Sequence, residues 1–154
     1  MTSSSLRHKP TLFIDRNSGG RIFRSLIVSN DFDVVLHDDH YKGIIPSDPE
    51  WLRDISKLGW IMISGDMRTS RSPLFLAELA KSNARVFLLN GLNGESREGK
   101  AKCVIESYAA ISRICEKFEA PFLWGITKDH RAYSIDFRQK LGVMRRSDSP
   151  HRNK

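Results

Sequence analysis

Residues 59–68 read Gly59-Trp60-Ile61-Met62-Ile63-Ser64-Gly65-Asp66-Met67-Arg68. An unbroken apolar run between a glycine and a Ser-Gly-Asp turn predicts a strand over Trp60–Ile63. A strand with one wet face would alternate polar and apolar residues, so this one is expected to be covered on both faces. Upstream, Trp51, Leu52, Ile55 and Leu58 recur at amphipathic spacing, predicting a helix over 48–58 that Gly59 stops. Downstream, Ser72 can cap a helix whose first turn begins at Pro73, where the missing amide costs nothing.

The same alternation extends in both directions. Thr11–Asp15 (TLFID) is a short apolar run closed by an acid. Asn17, Ser18, Gly19 and Gly20 then turn into a helix over about 20–29, with Ile22, Phe23, Leu26 and Ile27 on one face. Asp33–Leu36 is a strand, followed by a polar loop over 37–47. Arg85–Leu89 is another strand, with Asn90, Gly91, Asn93 and Gly94 as the loop beyond it. The longest helix, about 96–118, sets Ala101, Val104, Ile105, Tyr108, Ser112, Cys115 and Phe118 along one stripe. Phe122–Thr127 and Arg131–Asp136 read as a hairpin around Lys128-Asp129-His130. Strands separated by helices imply βαβ units, hence a three-layer α/β/α sandwich around a mainly parallel central sheet.

Length and composition agree with one such domain: 154 residues, 40% hydrophobic and 28% charged. No apolar run approaches the roughly 20 residues that span a bilayer, and Met1–Pro10 carries no signal-peptide core, so membrane and secreted classes are set aside. The net charge of +7 sits at the ends. Residues 1–10 hold Arg7 and Lys9 and no acid, while 138–154 hold six basic residues against Asp148. The expected organisation is a basic arm over 1–10, a charge-balanced domain over 11–137, and a basic disordered tail over 138–154. Such ends either solubilise or attract polyanions through counterion release. Cys103 and Cys115 share the long helix about 18 Å apart, too far for a disulfide, so reduced thiols in a cytoplasmic protein are expected.

In open α/β sheets the ligand site lies outside the carboxyl ends of the strands, near a topological switch point. Applied here, Asp15, Asp38, Asp39 and Asp66 follow strands, and Asp48 and Glu50 open a connecting helix, so all belong to one edge. Carboxylates gathered in one cleft repel one another unless a cation relieves them, and oxygen-only ligands suit Mg²⁺ or Mn²⁺. Taken singly, each acid has a plainer role: Asp15 as a turn former, Ser47-Asp48-Pro49-Glu50 as a capping box, Asp66 as a loop acid. Arg16, Arg68 and Arg71 flank the acids, either to neutralise a phosphate or to pair with the neighbouring aspartates. His37 and His40 have no further Cys or His cluster to complete a zinc site. Trp51 and Trp60 fit core positions. Gly19-Gly20 matches neither nucleotide-binding glycine spacing.

The series Phe13-Ile14-Asp15, His37-Asp38-Asp39-His40-Tyr41, Ser47-Asp48-Pro49-Glu50-Trp51 and Ile63-Ser64-Gly65-Asp66-Met67-Arg68 resembles the PIN-like nucleases, most of all the branch grouped with VapC-type toxins of toxin–antitoxin pairs. The resemblance covers about residues 11–136. It implies a Mg²⁺-dependent endoribonuclease, with RNA as substrate, an antitoxin protein as partner and a homodimer as the common assembly. It implies that Asp15, one or both of Asp48 and Glu50, and Asp66 are the catalytic, metal-binding acids. Ser64 matches the hydroxyl residue before the last acid, and Asp39 and His40 match a loop motif with an outer-shell or substrate-contact role. Arg68 and Asn90 stand where many PIN domains carry a fourth acid, which leaves open a catalytically degraded module that binds nucleic acid or protein. A phosphoacceptor receiver wants an acid pair after the first strand and the HAD phosphatases an Asp-x-Asp, whereas Asp15-Arg16-Asn17 supplies neither.

Overall fold

The computed structural model describes residues 11–14, 33–36, 48–92 and 94–148. Six strands form one sheet: β1 (Thr11–Ile14), β2 (Asp33–Leu36), β3 (Ile61–Ser64), β4 (Arg85–Leu89), β5 (Phe122–Ile126) and β6 (Ala132–Ser134). Among the described residues there are four α-helices: α1 (Asp48–Leu58), α2 (Pro73–Lys81), α3 (Arg97–Lys117) and α4 (Phe137–Asp148). A short 3₁₀ helix covers Met67–Arg71. The expected helix over 20–29, the loop 37–47 and the arm 1–10 lie outside the described residues.

Strand order is β2-β1-β3-β4-β5-β6, with the first five parallel and β6 antiparallel to β5. Each central strand reads as a continuous apolar run because its two sets of alternating side chains enter two different cores. Leu12, Ile14, Ile61, Ile63, Phe87, Leu89, Phe122 and Ile126 face α3 and pack with Ala101, Val104, Ile111 and Ile114. Phe13, Met62, Val86, Leu88 and Leu123 face the other way, onto Trp51, Leu52, Ile55, Phe75, Leu76 and Leu79 of α1 and α2. The architecture is the expected three-layer α/β/α sandwich.

Local chemistry explains the boundaries. Gly59, at φ +72°, ends α1: its N–H donates to Ser56 O and the Trp60 N–H to Ile55 O, the paired bonds of a Schellman cap. The Ser72 hydroxyl accepts from Phe75 N at 3.2 Å and Pro73 follows, so α2 starts where the sequence says. The Ser96 hydroxyl accepts from Gly99 N at the head of α3. The β5–β6 connection is tight: Thr127 N donates to Arg131 O at 2.8 Å, and His130 takes the left-handed conformation at φ 69°. Trp51 is buried, and Trp60 stacks on Phe13 with ring centroids 6.0 Å apart. Cys103 and Cys115 are both free.

Two expectations are corrected. The buried stripe of α3 runs through Ala101, Val104, Ser107, Ile111 and Ile114, with Cys103 beside it; Tyr108, Ser112 and Cys115 are only half-buried and Phe118 is exposed. The small, polar Ser107 hides this face from a hydrophobicity reading. The expected disordered tail from 138 is instead helical as far as Asp148. Phe137 and Leu141, one helical turn apart, are buried in the α1–α2 core, and α4 packs against α2.

Candidate functional site

β1 is flanked by β2 on one side and β3 on the other, so the chain reverses its direction of travel across the sheet between β1 and β3. In open α/β sheets such a switch point, outside the carboxyl ends of the strands, is where ligands bind. Ile14 pairs with Ile63, so β1 and β3 end side by side, and Ser64 pairs with Leu88 of β4.

Ser64 is buried, and its hydroxyl accepts from Asp66 N at 3.1 Å. Asp66 then caps the 3₁₀ helix: Oδ1 accepts from Arg68 N at 3.0 Å. The Arg68 guanidinium folds back on the same carboxylate, with Nε 2.9 Å from Oδ1 and Nη2 3.0 Å from Oδ2. Asp66 is thus a loop acid and a helix cap, and Arg68 takes the aspartate-pairing role. The hydrogen bond from the Arg68 side chain is the largest effect on the Asp66 carboxyl; burial opposes it, and the Arg68 backbone N–H and the charges of Arg68 and Arg71 add to it, so the carboxyl is held below its ordinary range. Arg71 is exposed at the end of the same 3₁₀ turn.

Of the other expected site residues, Glu50 is exposed in the first turn of α1, and Asp48 opens that helix, its side chain outside the described set. Asp15, Arg16, Asp39 and His40 lie outside the described residues. Among the described residues no group of three His, Cys, Asp or Glu side chains could hold a metal ion. The described donors alone therefore do not make a cation site, and Asp66 already has a guanidinium on both oxygens.

Asn90 directly follows β4 at this edge. Its N–H donates to Ile126 O at 2.8 Å and its side-chain amide donates to Tyr133 Oη at 2.7 Å. Tyr133 reaches it by lying across Gly125, its register partner on β5: a Cβ built on Gly125 would collide with the phenol ring. Sequence reasoning noted that Asn90 is not an acid but missed the Tyr133 tether. Gly125, the lone glycine of an otherwise apolar strand, was the available signal for a close approach.

Residues 10–91 match a family model described as PIN like domain. The chain belongs to the PIN-like domain family. The matched stretch runs from β1 through β4 and contains every acid of the expected site, whereas α3, the β5–β6 hairpin and α4 follow it. PIN-like domains are often nucleases. The chain matches no curated protein and no solved structure. No helix among the described residues is long and apolar enough to cross a membrane.

Proposed function

We propose that this PIN-like domain is a metal-dependent nuclease that hydrolyses RNA phosphodiester bonds at the carboxyl edge of β1 and β3. One observation carries the reading. The Ser64–Asp66 turn leaves β3 at the switch point, beside the end of β1, and Asp15 is the next residue in sequence after Ile14. In this proposal Asp15, Asp66 and one or both of Asp48 and Glu50 hold Mg²⁺ or Mn²⁺, an all-oxygen set that suits a hard cation. When bound, the cation supplies Lewis-acid stabilisation of phosphate charge. Arg68, released from Asp66, turns to the phosphate together with Arg16 and Arg71, and Ser64 keeps the Asp66 turn in place. Asp39 and His40 give outer-shell support to the metal or contact the substrate.

The test is cleavage of end-labelled RNA by the full chain, with Mg²⁺ and with chelator. Asp15→Asn and Asp66→Asn should each lower the rate on the order of a hundred-fold, the scale of losing one group that stabilises transition-state charge. Undiminished cleavage in both would remove these residues from the mechanism. Within this proposal the VapC-like resemblance adds the role of a cytoplasmic toxin. Induced expression should then arrest growth, and co-expression of an antitoxin from a neighbouring small reading frame should relieve the arrest.

The paired Arg68–Asp66 side chains favour a second reading, in which an internal guanidinium has replaced the cation and the domain only binds. Calorimetry separates the two: that reading predicts no Mn²⁺ binding to the wild type at millimolar concentration.

A further inference from the structure

Phe118 caps the carboxyl end of α3 and is 42% exposed. Its ring leans on Trp124 of β5, centroids 5.2 Å apart and planes at 54°, and Lys117 Nζ stands over it at 5.8 Å. These residues line one end of a cleft of about 540 Å³ between α3 and the β5–β6 hairpin. The helical wall is Ala110, Arg113, Ile114 and Lys117, whose spacing puts them on one face. The facing wall includes Trp124 and the hairpin residues His130 and Arg131.

The charge of this lining is one-sided. Arg113, Lys117 and Arg131 contribute permanent cations, and the lining includes no carboxylate among the described residues. Asp129 stands 3.4 Å from Arg131 Nε, and Glu106 lies 2.9 Å from His130 Nε2, both outside the lining. The cleft also has a direction. β5 runs parallel to β3 through β4, so the turn with His130 and Arg131 lies at the sheet edge that carries Asp66, and Phe118 lies toward the opposite edge.

Cations spaced along a groove beside exposed aromatic faces are the two elements that hold an unpaired polynucleotide: the cations take phosphates and the rings take bases. A duplex offers phosphates but keeps its base faces stacked internally. We propose that the α3–hairpin cleft binds single-stranded RNA, with Arg113, Lys117 and Arg131 on the backbone and a base stacked on Phe118. The choice of RNA rests on the nuclease reading above; the preference for an unpaired polyanion rests on the cleft itself. The cleft lies outside the stretch matched to the PIN-like family model and extends the substrate path away from the acids.

The experiment is fluorescence anisotropy of a short labelled oligouridylate titrated with the full chain in chelator, so that binding is read without cleavage and independently of the acids. Phe118→Ala should weaken binding about ten-fold, within the range of losing one base–aromatic stack. Phe118→Tyr should restore it. Arg113→Glu and Lys117→Glu, both at exposed positions, should weaken binding and flatten the dependence of log K on log salt by about 0.7 per lost phosphate contact. An RNA duplex should bind more weakly than the single strand and ignore Phe118→Ala. The proposal is overturned if the wild type does not bind the single strand, or if the charge reversals leave its affinity unchanged. It also falls if Phe118→Ala, folded by circular dichroism, binds like the wild type. Charge reversals that dissociate a dimer in sedimentation while RNA affinity stays constant would assign the face to a second copy instead.

Discussion

Asp66 is held by a partner two positions along the chain, and that makes its ionisation a local property. With its carboxyl held low by Arg68, the group stabilises the fold fully above its ordinary unfolded value near 3.8 and loses that contribution as pH falls through the lower folded value. Arg68→Ala removes the first cause, so the Asp66 carboxyl should titrate closer to its ordinary value. Carboxyl-carbon NMR across the acid range reads this directly, and an unmoved titration would mean that another group holds Asp66. The same substitution takes the guanidinium off both oxygens and leaves only the backbone N–H on Oδ1, so under the nuclease reading Mn²⁺ should bind more tightly. An Asp two residues before an Arg was visible in the sequence, and their pairing was one of two roles left open for Arg68. It depends on the 3₁₀ turn, which brings the Arg68 backbone and side chain back over the same carboxylate. Cys115, by contrast, is pushed up to about 12, mainly by burial, which leaves its thiol inert at neutral pH.

At the scale of elements, punctuation by glycine, proline and serine made α1, α2 and the strands legible, because caps and stops act through bonds within a few residues. α4 was not legible. Its charge suggested a solvated tail, and the two apolar residues that matter, Phe137 and Leu141, need α2 beneath them to count. Leu141→Ala should therefore cost about 2–5 kcal/mol, as for other large-to-small changes in a core. Urea unfolding followed by circular dichroism measures it; a cost near zero would return 138–148 to the status of an appendage. The misread stripe of α3 has a related cause. Val104, Ile105, Tyr108, Ile111, Ile114 and Cys115 spread around more than one face, and only the sheet decides which of them points inward.

For the whole molecule, the decisive feature is a sheet shared by two cores. Each strand from β1 to β5 contributes to both, so neither layer can melt without exposing the strands that the other needs. Unfolding should be a single transition, with tryptophan fluorescence, which samples Trp51 on one face and Trp124 on the other, coinciding with the loss of far-ultraviolet ellipticity. Separated midpoints would mean that the layers are independent. The order and type of most elements, the two-sided burial of the strands and the family are legible in the residues alone, because these rest on periodicity, caps and a short series of acids in strand context. Packing between elements sets the rest: Tyr133 crosses Gly125 to hold Asn90, and Phe118 stands beside Trp124 in a basic cleft. Each of these depends on the distance and angle between groups that sequence spacing leaves free, and those are set only when helices and strands pack.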